Sequence, residues 1–309
     1  WHWPGAFSDG PAQALLVAGC FLLGLPHGAL DLHVLAGLAR GRGGGAGGVA
    51  WLALAYLALA FAILGLWAAF PAIALAAFIG LTALHWGAGE VAFERLFPTG
   101  GTAPTRHPAW EIPLRGLIPM TVPAIAFPED YAVALRAFGA VLGEDWAPGT
   151  PALRLAAAIV LAAATIFWIV GFAAGHRGRQ SRCSAASPLP ELALLALLFI
   201  TVPPFPAIGF YFLFWHSLRH MLRLAGHEPR RPGNPRSSAA RRFGAILLKS
   251  LPLSAAALLL AGLVALGLGT TAENLRETIA AYLIFIACLT VPHAIVVGLQ
   301  DRRALYPRA

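Results

Sequence analysis

Histidines in apolar segments are the residues of this chain whose types and spacing could do chemistry. They occur in the motifs Pro26-His27-Gly28, His85-Trp86-Gly87, His216-Ser-Leu-Arg-His220 and Pro292-His293. Ionisable side chains inside membrane segments are rare and costly, and they usually face the interior of a helix bundle. Five imidazoles from four separate segments therefore predict one shared polar centre, and a bound metal ion is its simplest explanation.

The spacing within two of these motifs adds a geometric constraint. His216 and His220 are four residues apart, so on a helix both project from one face and can bind one ion. His27 and Asp31 have the same spacing, so Asp31 is predicted to accept the second N–H of His27 and to fix its tautomer. Pairing of Asp31 with an arginine near the membrane surface is the alternative. Further candidate ligands or hydrogen-bond partners of the ligands are His293, Glu90, Thr290, Trp86 and Ser217. The alternative for Glu90 is an interfacial charge, and for Thr290, Trp86 and Ser217 it is ordinary packing.

The predicted ligand type limits the metal. A site of imidazoles without thiolates suits iron, zinc or copper. The three cysteines, Cys20, Cys183 and Cys288, have no paired spacing, which predicts neither a disulfide framework nor a cysteine zinc site. Haem is an alternative to a bare metal ion, but it needs two opposed histidines and leaves the other histidines unexplained.

The elements that position these histidines are predicted to be transmembrane helices. The chain is 58% hydrophobic and only 12% charged over 309 residues, and several apolar stretches are long enough to cross a hydrocarbon core of about 30 Å. We predict an all-α, polytopic transmembrane bundle of about nine helices in one domain that spans residues 1–309. The predicted helices cover residues 11–39, 49–70, 72–96, 113–142, 152–176, 189–208, 209–226, 241–268 and 276–300.

Prolines and glycines modify this pattern. Pro119, Pro123 and Pro128 interrupt the segment 113–142, which is predicted to be two half-helices or a re-entrant segment. Glycines beside the histidines, such as Gly28 and Gly87, are predicted to let helices approach closely.

The distribution of charge predicts the orientation in the membrane. If the N-terminus lies outside and the helices alternate, 19 of the 22 basic residues fall on the inner side, as expected for cytoplasmic loops. The net charge of +8 is thereby explained without a nucleic-acid partner.

Arginine outnumbers lysine 21 to 1, a composition typical of a GC-rich bacterial genome. The C-terminus is predicted to be cytoplasmic, and the protein to lie in the bacterial inner membrane.

The same topology places the motif histidines at one depth. Each lies 9 to 14 residues before a basic residue of an inner helix end, which at 1.5 Å per residue is a slab about 8 Å thick. Ligands of one centre must share a depth, whereas independent core histidines need not.

His33 is off the face of His27, and the remaining four histidines are predicted to be solvated in loops or at helix ends: His2, His107, His176 and His227.

With these motifs in hand, the chain resembles the Brp/Blh family of β-carotene 15,15′-dioxygenases, bacterial and archaeal membrane enzymes that supply retinal to rhodopsins. The resemblance rests on Gly24-Leu-Pro-His-Gly-Ala-Leu-Asp31, His85-Trp-Gly87, His216-Ser-Leu-Arg-His220 and Thr290-Val-Pro-His293. It spans nearly the whole chain with the motifs in the same order. The acidic residue after His-x-Gly is usually Asp in the family and is Glu90 here.

The resemblance implies an activity and a cofactor. The expected reaction is oxygen-dependent cleavage of the central double bond of β-carotene into two retinal molecules, with dioxygen as co-substrate. The expected cofactor is a non-haem Fe(II) held by His27, His85, His216 and His220, which are then also the catalytic residues. A functional link to a retinal-binding rhodopsin and an apolar tunnel for the polyene are further expectations.

Two other classes of membrane protein fit part of the pattern. A histidine-box desaturase or hydroxylase usually carries adjacent His-His pairs to hold two irons, and no such pair occurs here. A metal or proton transporter could use the same histidines as a relay, but it would need a polar path to both membrane faces. The outer halves of the histidine-bearing helices are almost purely apolar, which disfavours the transporter.

Overall fold

The computed structural model describes residues 23–41, 43–97, 108–176, 189–227, 239–267 and 275–305. The described residues form helices and turns without a β-strand, which confirms the all-α prediction. A 3₁₀ turn at Pro108–Trp110 precedes α5, and a π-helical segment, Tyr211–Ser217, joins α9 to α10. The α-helices are α1 Leu25–Ala29, α2 Asp31–Gly41, α3 Ala46–Ala69, α4 Pro71–Leu96, α5 Glu111–Ala126, α6 Pro128–Val141, α7 Thr150–His176, α8 Leu189–Thr201, α9 Pro204–Phe210, α10 Leu218–His227, α11 Ala239–Gly267 and α12 Leu275–Leu305.

Five segments of these helices are long and apolar enough to cross a membrane: Ala46–Ala69, Pro71–Leu96, Thr150–Ala174, Ala239–Leu259 and Ala280–Arg302. Many of their large apolar side chains are exposed, among them Phe61 at 69% and Leu259 at 67%. In water such surfaces would be unfavourable, whereas lipid accommodates them. The chain is therefore a multi-pass membrane protein.

The predicted helix between residues 113 and 142 is two helices that meet at Phe127. Pro128 occupies the first turn of α6, where its missing N–H costs nothing. Pro119 and Pro123 stay inside α5 without ending it. The predicted helix over 11–39 is likewise interrupted in its described part, where a turn at Leu30 separates α1 from α2.

The helices group into two compact units. The first unit comprises residues 1–57 and 208–269. Among its described residues, helices α1, α10 and α11 pack around a small apolar core. Its buried members are Leu30, Met221, Leu224, Ala225 and Ile246.

The second unit comprises residues 58–207 and 270–309. Its apolar core includes Trp67, Leu75, Phe138 and Ile284, and the rings of Trp67 and Phe138 stack with centroids 6.1 Å apart. These side chains join α3, α4, α6 and α12 into one packed body.

Glycine allows the close approach of α4 and α5 in the second unit. A Cβ added at Gly87 would collide with the carbonyl oxygen of Ile112, and one added at Gly116 would collide with that of Ala83. The predicted role of Gly87 is thus confirmed. The same prediction is wrong for Gly28 among the described residues, because a Cβ there would meet none of their atoms within 4 Å.

Arg115, one of the basic residues predicted at the inner helix ends, is buried in the second unit. Its guanidinium lies 2.9 Å from Glu94, 3.2 Å from Glu111 and 3.4 Å from Glu191. Arg115 therefore joins α4, α5 and α8 through ion pairs with three carboxylates, which offset its buried charge.

Candidate metal centre

Three of the predicted histidines come together in the first unit. The ring of His27 lies 5.1 Å from that of His216 and 4.5 Å from that of His220, measured between centroids. All three side chains are buried, with exposures of 5%, 2% and 3%. The prediction that His216 and His220 project from one helix face is confirmed, because both contact the same ring.

Each of these three histidines lies at a distinct local feature of the backbone. Pro26 lies in the first turn of α1, a position that tolerates proline, and His27 follows it directly. His216 lies in the π-helical segment, and His220 in the α-helix that continues it. Short π-helical insertions are rare and occur frequently at functional sites. Phe212 from the same segment packs edge-on against His27 with centroids 5.7 Å apart, and helps to hold the ring.

Arg223 contacts His220 and was not singled out by the sequence. Its Nη2 lies 3.0 Å from Nδ1 of His220, and its side chain is buried, at 2% exposure. A guanidinium only donates hydrogen bonds, so Nδ1 of His220 must accept. The proton of the neutral ring then resides on Nε2.

Asp31 is buried one turn after His27 in the first unit, at 6% exposure. The hydroxyl of Tyr56 donates a hydrogen bond to its Oδ2 over 2.8 Å. The sequence did not predict this hydrogen bond between Tyr56 and Asp31. Tyr56 lies in an otherwise apolar helix, and its hydroxyl helps to satisfy a carboxylate that burial would otherwise destabilise.

The second unit holds the other two motif histidines. His85 on α4 and His293 on α12 have ring centroids 4.9 Å apart in a T-shaped arrangement. Both are buried, at 8% and 6% exposure. The predicted association of the His85-Trp-Gly and Pro-His motifs is thus present within this unit.

The other predicted partners in the second unit are Glu90, Trp86 and Thr290. Glu90 and Trp86 are buried on α4, at 1% and 6% exposure. The hydroxyl of Thr290 donates to the carbonyl of Ile286 over 2.8 Å, which is a bond within its own helix. Ser217, in the first unit, is fully buried beside His216.

Of the remaining five histidines, the structure describes the side chain of His33 alone. His33 is half-buried on α2. His2 and His107 lie outside the described residues, as do the side chains of His176 and His227.

The donor set is chemically suited to a transition metal. Each group offers neutral imidazole nitrogens from buried side chains, and imidazole binds iron, zinc and copper. Burial excludes water and so strengthens the interaction of a ligand lone pair with a cation. Buried histidines of this chain could therefore hold a metal ion.

Comparisons with known proteins identify the family of this chain. A profile of the β-carotene 15,15′-dioxygenase family matches residues 18–301. The chain is 36% identical over 301 residues to the probable β-carotene 15,15′-dioxygenase Blh of Halobacterium salinarum. The matched region covers 94% of this chain and 84% of the relative. No solved structure matches the chain. The extent of these matches confirms the resemblance drawn from the histidine motifs: the chain belongs to the β-carotene 15,15′-dioxygenase family.

Proposed function

We propose that this membrane protein cleaves the central double bond of β-carotene at a non-haem iron held by its buried histidines. The observation that carries the proposal is the meeting of His27, His216 and His220 in the first unit, in a chain whose family cleaves this substrate. The products are two molecules of retinal.

The proposed iron ligands are His27, His85 and His216, which are all buried and each offer a ring nitrogen. His220 is the fourth proposed ligand. Because Arg223 engages its Nδ1, His220 would bind through Nε2. Loss of the Nε2 proton on binding would leave an imidazolate, whose negative charge the guanidinium beside Nδ1 would balance. His293, beside His85, is proposed as a further ligand or as the residue that orients His85.

The reaction balances without an outside reductant. Dioxygen loses its O–O bond, β-carotene loses one carbon–carbon double bond, and one C=O bond forms in each of two retinal molecules. Iron, when bound, would supply the redox chemistry that lets dioxygen react with a closed-shell polyene.

The protein's own residues would bind, orient and protect the reactants. The buried imidazoles fix the reacting position, and apolar side chains around them exclude water. Since many similar double bonds compete along the polyene, selectivity must come from holding the molecule in one register. The aromatic residues of the π-helical segment, such as Phe212 against His27, are proposed to contribute to that placement.

Expression in bacteria that accumulate β-carotene tests this function. Cells with the wild-type chain should lose their orange colour and form retinal, measured by chromatography of extracts. His216→Ala should abolish retinal formation because it removes a proposed ligand, whereas His107→Ala in a predicted loop should not. Retention of β-carotene by cells that contain folded, iron-loaded wild-type protein would refute the proposed reaction.

The orientation of the enzyme in the membrane is proposed from the distribution of its basic residues. The N-terminus would lie outside and the C-terminus in the cytoplasm of a bacterial inner membrane, where a retinal-binding rhodopsin could take up the product. A Gly149→Cys variant tests this orientation in cells whose outer membrane alone has been permeabilised. A maleimide that does not cross membranes should label the new cysteine. If the cysteine is not labelled, the loop lies on the cytoplasmic side and the proposed orientation is wrong.

A further inference from the structure

A groove runs between α4 and α12 in the second unit and reaches one of the proposed iron ligands. Its volume is about 200 Å³, and it is lined mainly by apolar side chains. His85 and Ala88 contribute to its wall from α4, and Ala294, Gly298 and Asp301 from α12. The small side chains keep the space between the two helices open.

The groove faces the lipid side of both helices. Leu84, which lines it, is 52% exposed, and Ile295 and Leu299 on α12 are 51% and 44% exposed. Both helices contain candidate membrane spans, so these side chains would meet lipid tails. A lipid-dissolved molecule could thus enter the groove sideways without crossing water.

The length of the groove along α12 follows from helix geometry. His293, whose ring contacts His85, is eight residues before Asp301, and a rise of 1.5 Å per residue makes this separation about 12 Å. Asp301 is buried, at 4% exposure. The groove therefore extends from the level of the histidine pair for about two helical turns, to a buried carboxylate.

We propose that this groove binds one half of the carotenoid while the scissile bond lies beside His85. This inference rests on the proposed function, since it needs the reaction to occur at His85. Pockets that enclose a whole drug-sized ligand measure about 300–1,000 Å³, so a space of about 200 Å³ suits a segment of a long polyene. The depth of the groove would then set which double bond reaches the histidines.

Gly298 lines the groove and is the position at which an added side chain can narrow it. A Cβ added there meets no atom of the described residues within 4 Å, so a larger side chain can extend into the groove without displacing the backbone. Gly298→Leu should therefore fold and narrow the groove. Gly80→Leu is a matched control, because Gly80 is exposed on α4, lies outside the groove and also has no atom within 4 Å of an added Cβ.

The test compares full-length β-carotene with an apocarotenal shortened on one side. In Gly298→Leu, kcat/KM for β-carotene should fall by roughly tenfold or more, as expected when methylenes intrude on an apolar site. The shortened substrate can direct its short arm into the narrowed groove, so its kcat/KM should fall much less. Iron content should remain at the wild-type value, and Gly80→Leu should behave as wild type with both substrates.

Three outcomes would overturn the inference. One is that Gly298→Leu processes both substrates like Gly80→Leu. Another is an equal loss with both substrates, and the third is a raised KM for dioxygen alone, which would make the groove an oxygen path. Failure of the proposed function gives a different result, because the wild-type protein would then form no retinal from either substrate.

Discussion

At the scale of single residues, the histidines were predictable and their polar neighbours were not. A histidine in an apolar helix is conspicuous because its burial is costly, so the motif residues stood out in the sequence. Arg223 did not, since a basic residue near a helix end is usually a cytoplasmic loop charge. Only the structure shows it buried against Nδ1 of His220.

The contact of Arg223 with His220 leads to a testable prediction. Arg223→Met should lower the rate of β-carotene cleavage roughly 10- to 100-fold, the usual effect of losing a residue that orients a metal-binding histidine. Because the Met side chain keeps much of the apolar volume, the protein should still fold, which circular dichroism in detergent would check.

Arg219→Met is the matched control for this change. Arg219 lies on the same helix with its guanidinium 4.1 Å from the ring centre of Trp215, and its loss should leave activity near the wild-type rate. Equal rates for the two variants would show that Arg223 does not position His220.

At the scale of elements, the sequence predicted most helices within a few residues. Apolar length identified α3, α4, α7 and α11, and the proline signals correctly marked the weak segment that divides at Phe127. The π-helical segment was not predictable. Its hydrogen bonds run to the fifth residue along the chain instead of the fourth, and apolar length and proline signals do not distinguish these two patterns. Tyr211 and Leu213 of this segment are fully buried.

A deletion would test whether this segment positions the histidines. Removing Phe214 should convert the segment towards a regular α-helix, because one residue fewer lets its hydrogen bonds run to the fourth residue. The widened turn that carries His216 would then be lost. We expect loss of bound iron although every histidine remains, measured by elemental analysis of purified protein.

Phe214→Ala serves as the control because it removes the side chain and keeps the helix register. It should retain iron, although its turnover of β-carotene can be slower. If the deletion variant bound iron as well as Phe214→Ala does, the π-helical segment would have no part in forming the site.

At the scale of the whole molecule, composition fixed the class of protein and left the arrangement open. High hydropathy and the long apolar stretches predicted a helical membrane protein, and five candidate spans agree with that. The charge rule was less informative than the count of basic residues suggested, because Arg115 is paired with three carboxylates inside the second unit. Buried ion pairs cannot be recognised by counting, since their partners are distant in sequence.

The central claim concerns both units, because the proposed ligands come from both. Elemental analysis of purified protein tests it most directly, with wild type, His27→Ala, His85→Ala, His216→Ala and His107→Ala compared at equal concentration. We predict about stoichiometric iron in wild type and His107→Ala, and loss of most of it in each of the other three, because every ligand strengthens the binding of a single ion. Full iron occupancy in His27→Ala or His85→Ala would contradict a shared centre.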